Sequence, residues 1–463
     1  MDGDGEFRGL LLLCGPPLPG PRPAPGKGWA ETFDVVPESE AAALLARLQG
    51  GRGCVVAALT DPAPIDVPRC IRALEDYLPD ITAILESLDK QGTVTTRRAL
   101  LFEWTGSFFA EAPTPFKCQF IIYELCMVLH SLGVLSHMHG ANIVARADGA
   151  GEAIPQLKDA SKAFLASAAY FRCLAEETLP RWVKRDGLAR HPPELDEQVA
   201  LAFAHLAQAA SQQCSVVAAM LNSTKSSLLS KLASAVVHET EDCLRCLELA
   251  DPKCEKVKAA IPTHAAYLRE IFGALAFFHS GKDLSEANKC GEAIAAYVTA
   301  EAKLRIQSVG SGAPGAHNAA LPGLPRSIVG SAPCVGRFLT VVTQHKDMSL
   351  RENDLMHFQV VPTQIGLPAG ILLSTPTPFK LPSSGKIVSF QRETVFELAA
   401  VGAALPADAP PTALATTAPA PAPAPAPTPT EAAGSVRECR ACTFHNPQAA
   451  VSCEMCGTPM APS

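Results

Sequence analysis

The chain has 463 residues, enough for about three domains at the usual roughly 150 residues each. Because 48% of the residues are hydrophobic and only 18% are charged, most of the chain can bury a core, which excludes a wholly disordered protein. A net charge of −7 without a polybasic tail argues against binding nucleic acid over an extended basic surface.

The N-terminus and the apolar runs predict a cytoplasmic protein. The acidic first residues and the short run Leu10–Leu13 do not fit a secretory signal. The longest apolar stretch, 120–135, contains Glu124 and is shorter than the ~20 apolar residues that a membrane span requires. In this compartment we expect the 16 cysteines to be reduced, apart from any that bind metal.

The chain begins with two regions of different composition. Residues 1–30 are rich in Gly and Pro and are expected to be irregular, apart from a short strand at Leu10–Leu13. From 31 to 400 the pattern is mainly helical, because apolar residues recur at the i, i+3, i+4, i+7 spacing of one helix face. The predicted helices cover 66–90, 115–144, 153–174, 194–221, 224–249, 255–280 and 284–306. A Gly/Pro-rich loop at 310–333 and an extended Pro-rich segment at 360–382 follow them.

These predicted helices determine the expected fold class. Most have about 20 to 30 residues, whereas helices in globular proteins average roughly 11 or 12. Long helices with short connections are typical of hairpins packed into an elongated bundle or solenoid. We therefore predict a mainly α fold with minor β structure.

Six short motifs in this region resemble, in the same order, those of the BRO-one domain of the ALIX/Bro family of endosomal-sorting proteins. They are Leu101–Trp104 with Gly106–Phe108, Lys158–Phe171, Leu206–Ala209, Ser230–Ala233, Glu292–Ala295 and Glu352–Pro362. No single motif is specific, but their shared order over about 260 residues is. The resemblance implies a boomerang-shaped helical body with a tetratricopeptide-like core and a small β-element.

The same resemblance implies that the body captures the amphipathic C-terminal helix of an ESCRT-III subunit. Binding a helix in a groove requires exposed aliphatic side chains one turn apart. Leu228 and Leu232 have this i, i+4 spacing on the matching helix and are the predicted ESCRT-III-binding patch. An ordinary role in the core is an equal alternative for both leucines. A third patch position, usually aromatic in the family, falls near Ser215 or Val216.

Ala-Pro repeats dominate residues 401–434. Because Pro removes a backbone donor and fixes φ, these repeats predict a semi-rigid polyproline-II spacer. Some 30 residues at ~3.1 Å each reach on the order of 90 Å if extended. A docking motif for an aromatic-lined groove is a less favoured alternative, because the repeats lack flanking Arg or Lys.

Two Cys-x-x-Cys pairs near the C-terminus predict a zinc site in a module at 435–463. Cys439 and Cys442 form the first pair, and Cys453 and Cys456 form the second after ten intervening residues. Four thiolates at this spacing form a tetrahedral structural Zn²⁺ site. So small a module cannot bury a sufficient core, so the metal has to supply its folding free energy.

The residues around these cysteines resemble the NZF branch of the Ran-binding-protein-2-type zinc fingers. In its ubiquitin-binding members a Thr-Phe pair and an apolar residue before the last cysteine contact ubiquitin, which implies Thr443, Phe444 and Met455 as ubiquitin-binding residues. Exposed apolar side chains on a metal-fixed frame form a binding hot spot, although they could instead form the finger's own small core. The family usually has a Trp where this chain has Arg437, and in its RNA-binding members that ring stacks on bases. Single-stranded RNA binding is therefore the weaker alternative, which Arg437 and Arg440 still support.

The combined hypothesis is a cytoplasmic endosomal-sorting adaptor that is recruited to the endosomal membrane surface. Its body binds ESCRT-III, and its finger binds ubiquitin or ubiquitinated cargo. The sequence contains no nucleophile-elbow, P-loop or His-Glu-x-x-His pattern, so we expect no enzyme. A signalling scaffold with a diverged body is the alternative from another class.

Overall fold

The computed structural model describes most of the region from 22 to 390 and two short strands near the C-terminus. The described residues are 22–23, 29, 32–33, 35–61, 65–91, 100–105, 116–146, 153–186, 192–251, 255–308, 332–383, 387–390, 436–438 and 445–447. The strand predicted at Leu10–Leu13, most of the loop predicted at 310–333, and the spacer at 401–434 lie outside these residues. The chain divides into two compact units, Met1–Leu405 and Pro406–Ser463.

The first unit is mainly helical with a small sheet, as predicted. Its elements in chain order are β1 (Arg22–Pro23), α1 (Glu40–Thr60), α2 (Val67–Gln91), β2 (Phe102–Thr105), β3 (Phe116–Cys118), α3 (Ile121–Arg146), α4 (Ala153–Arg172), α5 (Leu179–Asp186), α6 (Glu197–Leu221), α7 (Ser226–Leu249), α8 (Glu255–Glu286), α9 (Cys290–Ser308) and α10 (Ala332–Glu352). One π turn, Cys173–Thr178, joins α4 to α5, and another, Asn353–His357, follows α10. The short α5 aside, each helix packs against the next along the chain, as in a solenoid.

Every predicted helix overlaps an observed one, but α1 and α10 were not predicted. The glycines of α1 interrupt its apolar pattern, and Gly51 is required by packing, since a Cβ there would lie 2.8 Å from the Tyr77 ring. The Ser39 side chain caps α1 by accepting the N–H of Ala42 at 3.1 Å. α10 begins at Ala332, inside the segment predicted to be a loop.

The helical unit begins earlier than residue 31, where the composition places its start. β1 pairs antiparallel with β2, with Arg22 opposite Thr105, and β2 pairs antiparallel with β3. Trp29 is completely buried, with its ring 5.3 Å from that of Phe102. The residues before 31 therefore contribute both a strand and a core side chain, which corrects the expectation of an irregular N-terminus.

A buried ion pair lies in the core formed by α1, α2, α3 and the sheet. Arg52 of α1 contacts Glu124 of α3, and neither side chain is more than 4% exposed. Trp104 Nε1 donates to Glu124 Oε2 at 2.6 Å, and the Tyr77 hydroxyl lies 3.4 Å from Glu124 Oε1. Glu124 thus has an ion-pair partner and two further polar neighbours, as a buried charge requires.

α3 alone among the described helices is long and apolar enough to cross a membrane by length and composition. Its apolar window, however, is 94% buried inside the protein. Glu124 lies in its first turn and is paired with Arg52. The protein core therefore explains the apolar character of α3.

Among the described residues, four histidines are buried, and burial lowers the pKa of each one. The pKa falls to about 3 for His130, His264 and His279 and to about 4 for His137. His137 lies inside α3 with its ring 4.9 Å from that of Phe164. These side chains therefore remain neutral at neutral pH and behave as core residues.

We expect acid to destabilise the helical unit because of these histidines. In the unfolded chain a histidine has a pKa of about 6.5, so the unfolded state binds protons that the folded state does not. Their contribution to stability is complete above about pH 6.5 and is lost as the pH falls towards the folded pKa values near 3 and 4. Replacing His264 by Leu should reduce the difference in unfolding free energy between about pH 7.5 and about pH 5.5 by about 1 kcal/mol. Urea unfolding at the two pH values measures this difference.

His139→Leu is the control for this experiment, because His139 lies on α3 but is only half-buried. It controls for the loss of a histidine side chain at a less buried position. A His264→Leu variant with the same pH dependence as the parent would contradict the prediction.

Candidate functional site

An elongated groove lies between α4, α6 and α7 and the extended segment 358–383, which we call the strap. It contains two neighbouring cavities of about 480 and 680 Å³, which share Lys162 and Leu165 on α4. The first cavity is mainly apolar. Its apolar lining consists of Ile154, Leu157, Leu165, Cys214, Ala218, Ala219, Leu228, Leu232 and Leu373.

Two buried glutamines of α6 hold the strap in place. Gln208 Nε2 donates to the carbonyl of Ser374 at 2.7 Å. Gln212 Nε2 donates to the carbonyl of Ile371 at 2.9 Å, and its Oε1 accepts the N–H of Leu373 at 3.2 Å. These bonds satisfy strap backbone groups that have no strand partner, and they fix Leu373 and Ser374 as one wall of the groove.

The two leucines of the predicted ESCRT-III patch line the same cavity but differ in exposure. Leu228 is 37% exposed, whereas Leu232 is completely buried. The expectation that both are exposed is therefore wrong for Leu232. The backbone of α7 is covered at this point, since Gln212 of α6 donates to the carbonyl of Leu232 and the strap residue Ile371 donates to the carbonyl of Lys231.

The two candidates for the third expected patch position, Ser215 and Val216, differ in burial. Ser215 is half-buried and lines the first cavity, whereas Val216 is completely buried in the core. Ser215 Oγ donates to the carbonyl of Ser211 within α6 at 3.4 Å. Of the two, Ser215 is the one that lines the groove.

Within the described part of the chain, every charged residue that lines the two cavities is a lysine. Lys158 and Lys162 are exposed and one turn apart on α4, and Lys380 lies on the strap. Asp159 forms an ion pair with Lys162 at 2.9 Å and offsets part of its charge. An apolar floor with positive rims is complementary to an amphipathic helix that carries acidic residues.

The sequence motifs contained most of these residues without indicating their roles. Lys158 and Lys162 lie in the motif 158–171, and Gln208 lies in the motif Leu206–Ala209. The i, i+4 lysine spacing was a usable signal for a basic rim. No local signal marks Gln212 as a residue that binds the strap, because its hydrogen-bond partner Ile371 is 159 positions away.

The predicted zinc and ubiquitin sites lie in the second unit, outside the described residues. These are the zinc ligands Cys439, Cys442, Cys453 and Cys456 and the ubiquitin contacts Thr443, Phe444 and Met455. The described part of this unit is an antiparallel pair, β4 (Val436–Glu438) and β5 (His445–Pro447), with Glu438 opposite His445. The first cysteine pair falls in the segment that connects these strands.

The helical unit matches a known family model. The model of the BRO1-like domain matches residues 70–397. The chain belongs to the BRO1 family. This confirms the resemblance of the body, while the NZF finger remains a prediction.

Two curated BRO1 relatives share modest identity with this chain. The pH-response regulator protein RIM20 of Yarrowia lipolytica is 27% identical over 284 residues, which are 60% of this chain and 33% of RIM20. The BRO1 domain-containing protein BROX of Xenopus tropicalis is 24% identical over 339 residues, 70% of this chain and 77% of BROX. The chain thus spans a third of the first relative and about three quarters of the second.

A solved BRO1 structure has the same fold. The chain aligns with the ALIX BRO1 domain from its complex with CHMP4C with a TM-score of 0.60 and 17% identity. The alignment covers 81% of this chain and 98% of that domain. At this identity the similarity establishes the fold and not the partner.

Proposed function

We propose that this BRO1-family protein is an endosomal-sorting adaptor whose groove binds the amphipathic C-terminal helix of an ESCRT-III subunit. The observation that carries the proposal is the groove itself, which combines an apolar floor, the half-exposed Leu228 and lysine rims. The complex of the ALIX BRO1 domain with CHMP4C supports a partner of this class.

The arrangement and chemistry of the groove residues suit such a helix. The two cavities adjoin along α4 through Lys162 and Leu165, which gives an elongated surface. A bound helix about 10 Å wide would place its apolar face against Leu228 and Leu165. Its acidic residues would face Lys158 and Lys162. Because these lysines are exposed to solvent, they would raise the rate of association more than the affinity.

We expect Leu228→Asp to weaken binding of a CHMP4C C-terminal peptide by about 10-fold or more. The reason is that a carboxylate at this position would have to be desolvated against an apolar helix face. Fluorescence anisotropy with a labelled peptide measures the affinity. Leu232→Asp is unsuitable for this test, because Leu232 is completely buried and a charge there would damage the core.

Leu249→Asp is the matched control. Leu249 is the last residue of the same helix, is 68% exposed and lies outside the groove lining. It should bind the peptide like the parent protein. Equal affinities for Leu228→Asp and Leu249→Asp would exclude the groove as the binding site, and no binding by the parent would favour the scaffold alternative.

We further propose that the finger binds Zn²⁺ through its four cysteines and contacts ubiquitin or ubiquitinated cargo through Thr443, Phe444 and Met455. The β4–β5 pair supports this, because a hairpin brings together the ends of the segment that holds Cys439 and Cys442. A single finger buries little surface and binds weakly. The Ala/Pro-rich spacer links it to the groove and raises its effective concentration at a shared endosomal membrane surface.

A further inference from the structure

A cluster of three potential metal ligands lies where α9 begins and α10 ends, and it involves none of the groove residues. Ligand atoms of Cys290, Glu352 and His357 all lie within 4.8 Å of one another. His357 Nε2 is 3.7 Å from Glu352 Oε1. Neighbouring ligands of a tetrahedral zinc ion with bonds of about 2.0 to 2.3 Å are separated by roughly 3.3 to 3.8 Å. The three side chains are therefore already close to the required arrangement.

The backbone explains why Glu352 and His357 meet. Glu352 ends α10, and His357 ends the following π turn, Asn353–His357. A π turn bonds residues five apart, so it brings these two positions to one side of the chain. The residue after the turn, Phe358, has a left-handed φ of 51° and donates its N–H to the carbonyl of Asn353 at 2.7 Å.

A set of hydrogen bonds around Gln359 fixes the distance between the π turn and Cys290. Gln359 Oε1 accepts the N–H of Gly291 at 3.1 Å, and Gln359 Nε2 donates to the carbonyl of Asn288 at 2.8 Å. The Asn353 side chain exchanges two bonds of 3.0 Å with the Gln359 backbone. The residues on both sides of Cys290 are thus tied to the segment that holds His357.

Gly291 permits this close approach. A Cβ at Gly291 would lie 2.4 Å from the carbonyl oxygen of Val360, so no larger residue fits without a backbone shift. The cluster is therefore held by contacts that do not depend on a bound ion, which is the preorganisation expected of a ligand site.

The donor set points to a particular class of metal. Thiolate and imidazole ligands favour Zn²⁺ over Mg²⁺ and Ca²⁺, which prefer oxygen donors. Cys290 is the first residue of α9. Cys290 is buried, while the side chains of Glu352 and His357 are 47% and 22% exposed, so an ion can enter from solvent.

We propose that Cys290, Glu352 and His357 bind one Zn²⁺ ion and leave its fourth position open to water or to a group from a partner. This site is independent of the groove and of the finger. It adds a second zinc equivalent to the one expected in the finger.

Zinc content of the full-length chain tests the proposal. After dialysis against buffered Zn²⁺, mass spectrometry of the metal should find two equivalents per chain and one equivalent when all four finger cysteines are replaced by Ser. Adding His357→Gln to that variant should remove the remaining equivalent. Cys54→Ser and His238→Gln, at exposed positions outside the cluster, should not.

Co²⁺ provides a second readout in the same finger-free background. The thiolate-to-cobalt charge-transfer band should be present there and absent after Cys290→Ser. Glu352→Gln keeps the size of an exposed side chain and should weaken Co²⁺ binding by about 10-fold or more while the far-ultraviolet circular dichroism stays unchanged. Folded variants of Cys290, Glu352 or His357 that keep the full zinc content and the cobalt band would overturn the proposal.

Discussion

Replacing Glu124 by Ala is expected to lower the free energy of unfolding of the BRO1 domain by about 3 to 5 kcal/mol. The substitution removes the carboxylate that contacts Arg52, whose side chain is only 4% exposed. Burial already lowers the pKa of Arg52, and the substitution removes the carboxylate that offsets its buried charge. Trp104 and Tyr77 lose an acceptor in the same step. Chemical denaturation measures the change.

Two further variants separate the ion pair from general effects of substitution. Glu241→Ala, at an exposed position on α7, should change stability by less than about 0.5 kcal/mol. Replacing both charges by apolar residues, Arg52→Met with Glu124→Leu, should be less destabilising than Glu124→Ala alone, because no buried charge remains. A loss below about 1 kcal/mol in Glu124→Ala would show that the pair is not needed to solvate Arg52.

Cys453→Ser is expected to abolish ubiquitin binding by the full-length chain. Structural zinc supplies about 10 to 16 kcal/mol of apparent folding free energy in modules of this size, so the loss of one ligand should unfold the finger. A variant with Thr443→Ala and Phe444→Ala should keep the finger's zinc but lose ubiquitin binding, because it changes the proposed contact surface and not the ligands. Titration of isotope-labelled ubiquitin, followed by NMR, measures binding in each case.

The same variants distinguish ubiquitin from single-stranded RNA. A finger that reads RNA would lose RNA binding after Arg440→Ala and keep it after Phe444→Ala, since base contacts would depend on the arginine. Ubiquitin shifts that persist unchanged in the Thr443→Ala and Phe444→Ala variant would exclude the proposed contact surface.

The sequence predicts the helical series well because its information is local. The apolar spacing in α2 and α7 predicts each helix from neighbouring residues alone, and each helix packs against its neighbour in the chain. The sequence did not predict α1, because Gly51 and nearby glycines interrupt that apolar spacing. Gly51 is nevertheless required by its close contact with Tyr77. The extended character of the strap followed from its prolines, but its attachment to Gln212 did not, because that contact is non-local.

The candidate sites show the same limit. The spacing of Leu228 and Leu232 predicts that both lie on one face of α7. Only Leu228 is exposed, because α6 and the strap pack over α7 at Leu232. The cluster of Cys290 with Glu352 and His357 has no spacing signature, because Cys290 and the end of α10 are 62 positions apart. The packing of α9 against α10 and the π turn that follows α10 bring these ligands together.

The position of the strap in the chain has a consequence for protein synthesis. α4, α6 and α7 leave the ribosome well before the strap, yet Leu373 and Ser374 form one wall of the groove. A hydrogen bond from the Thr82 hydroxyl to the carbonyl of Pro382 joins residues that are 300 positions apart. A nascent chain that ends before the strap therefore has the apolar floor without its wall, so the groove is complete only when translation of the domain is nearly complete.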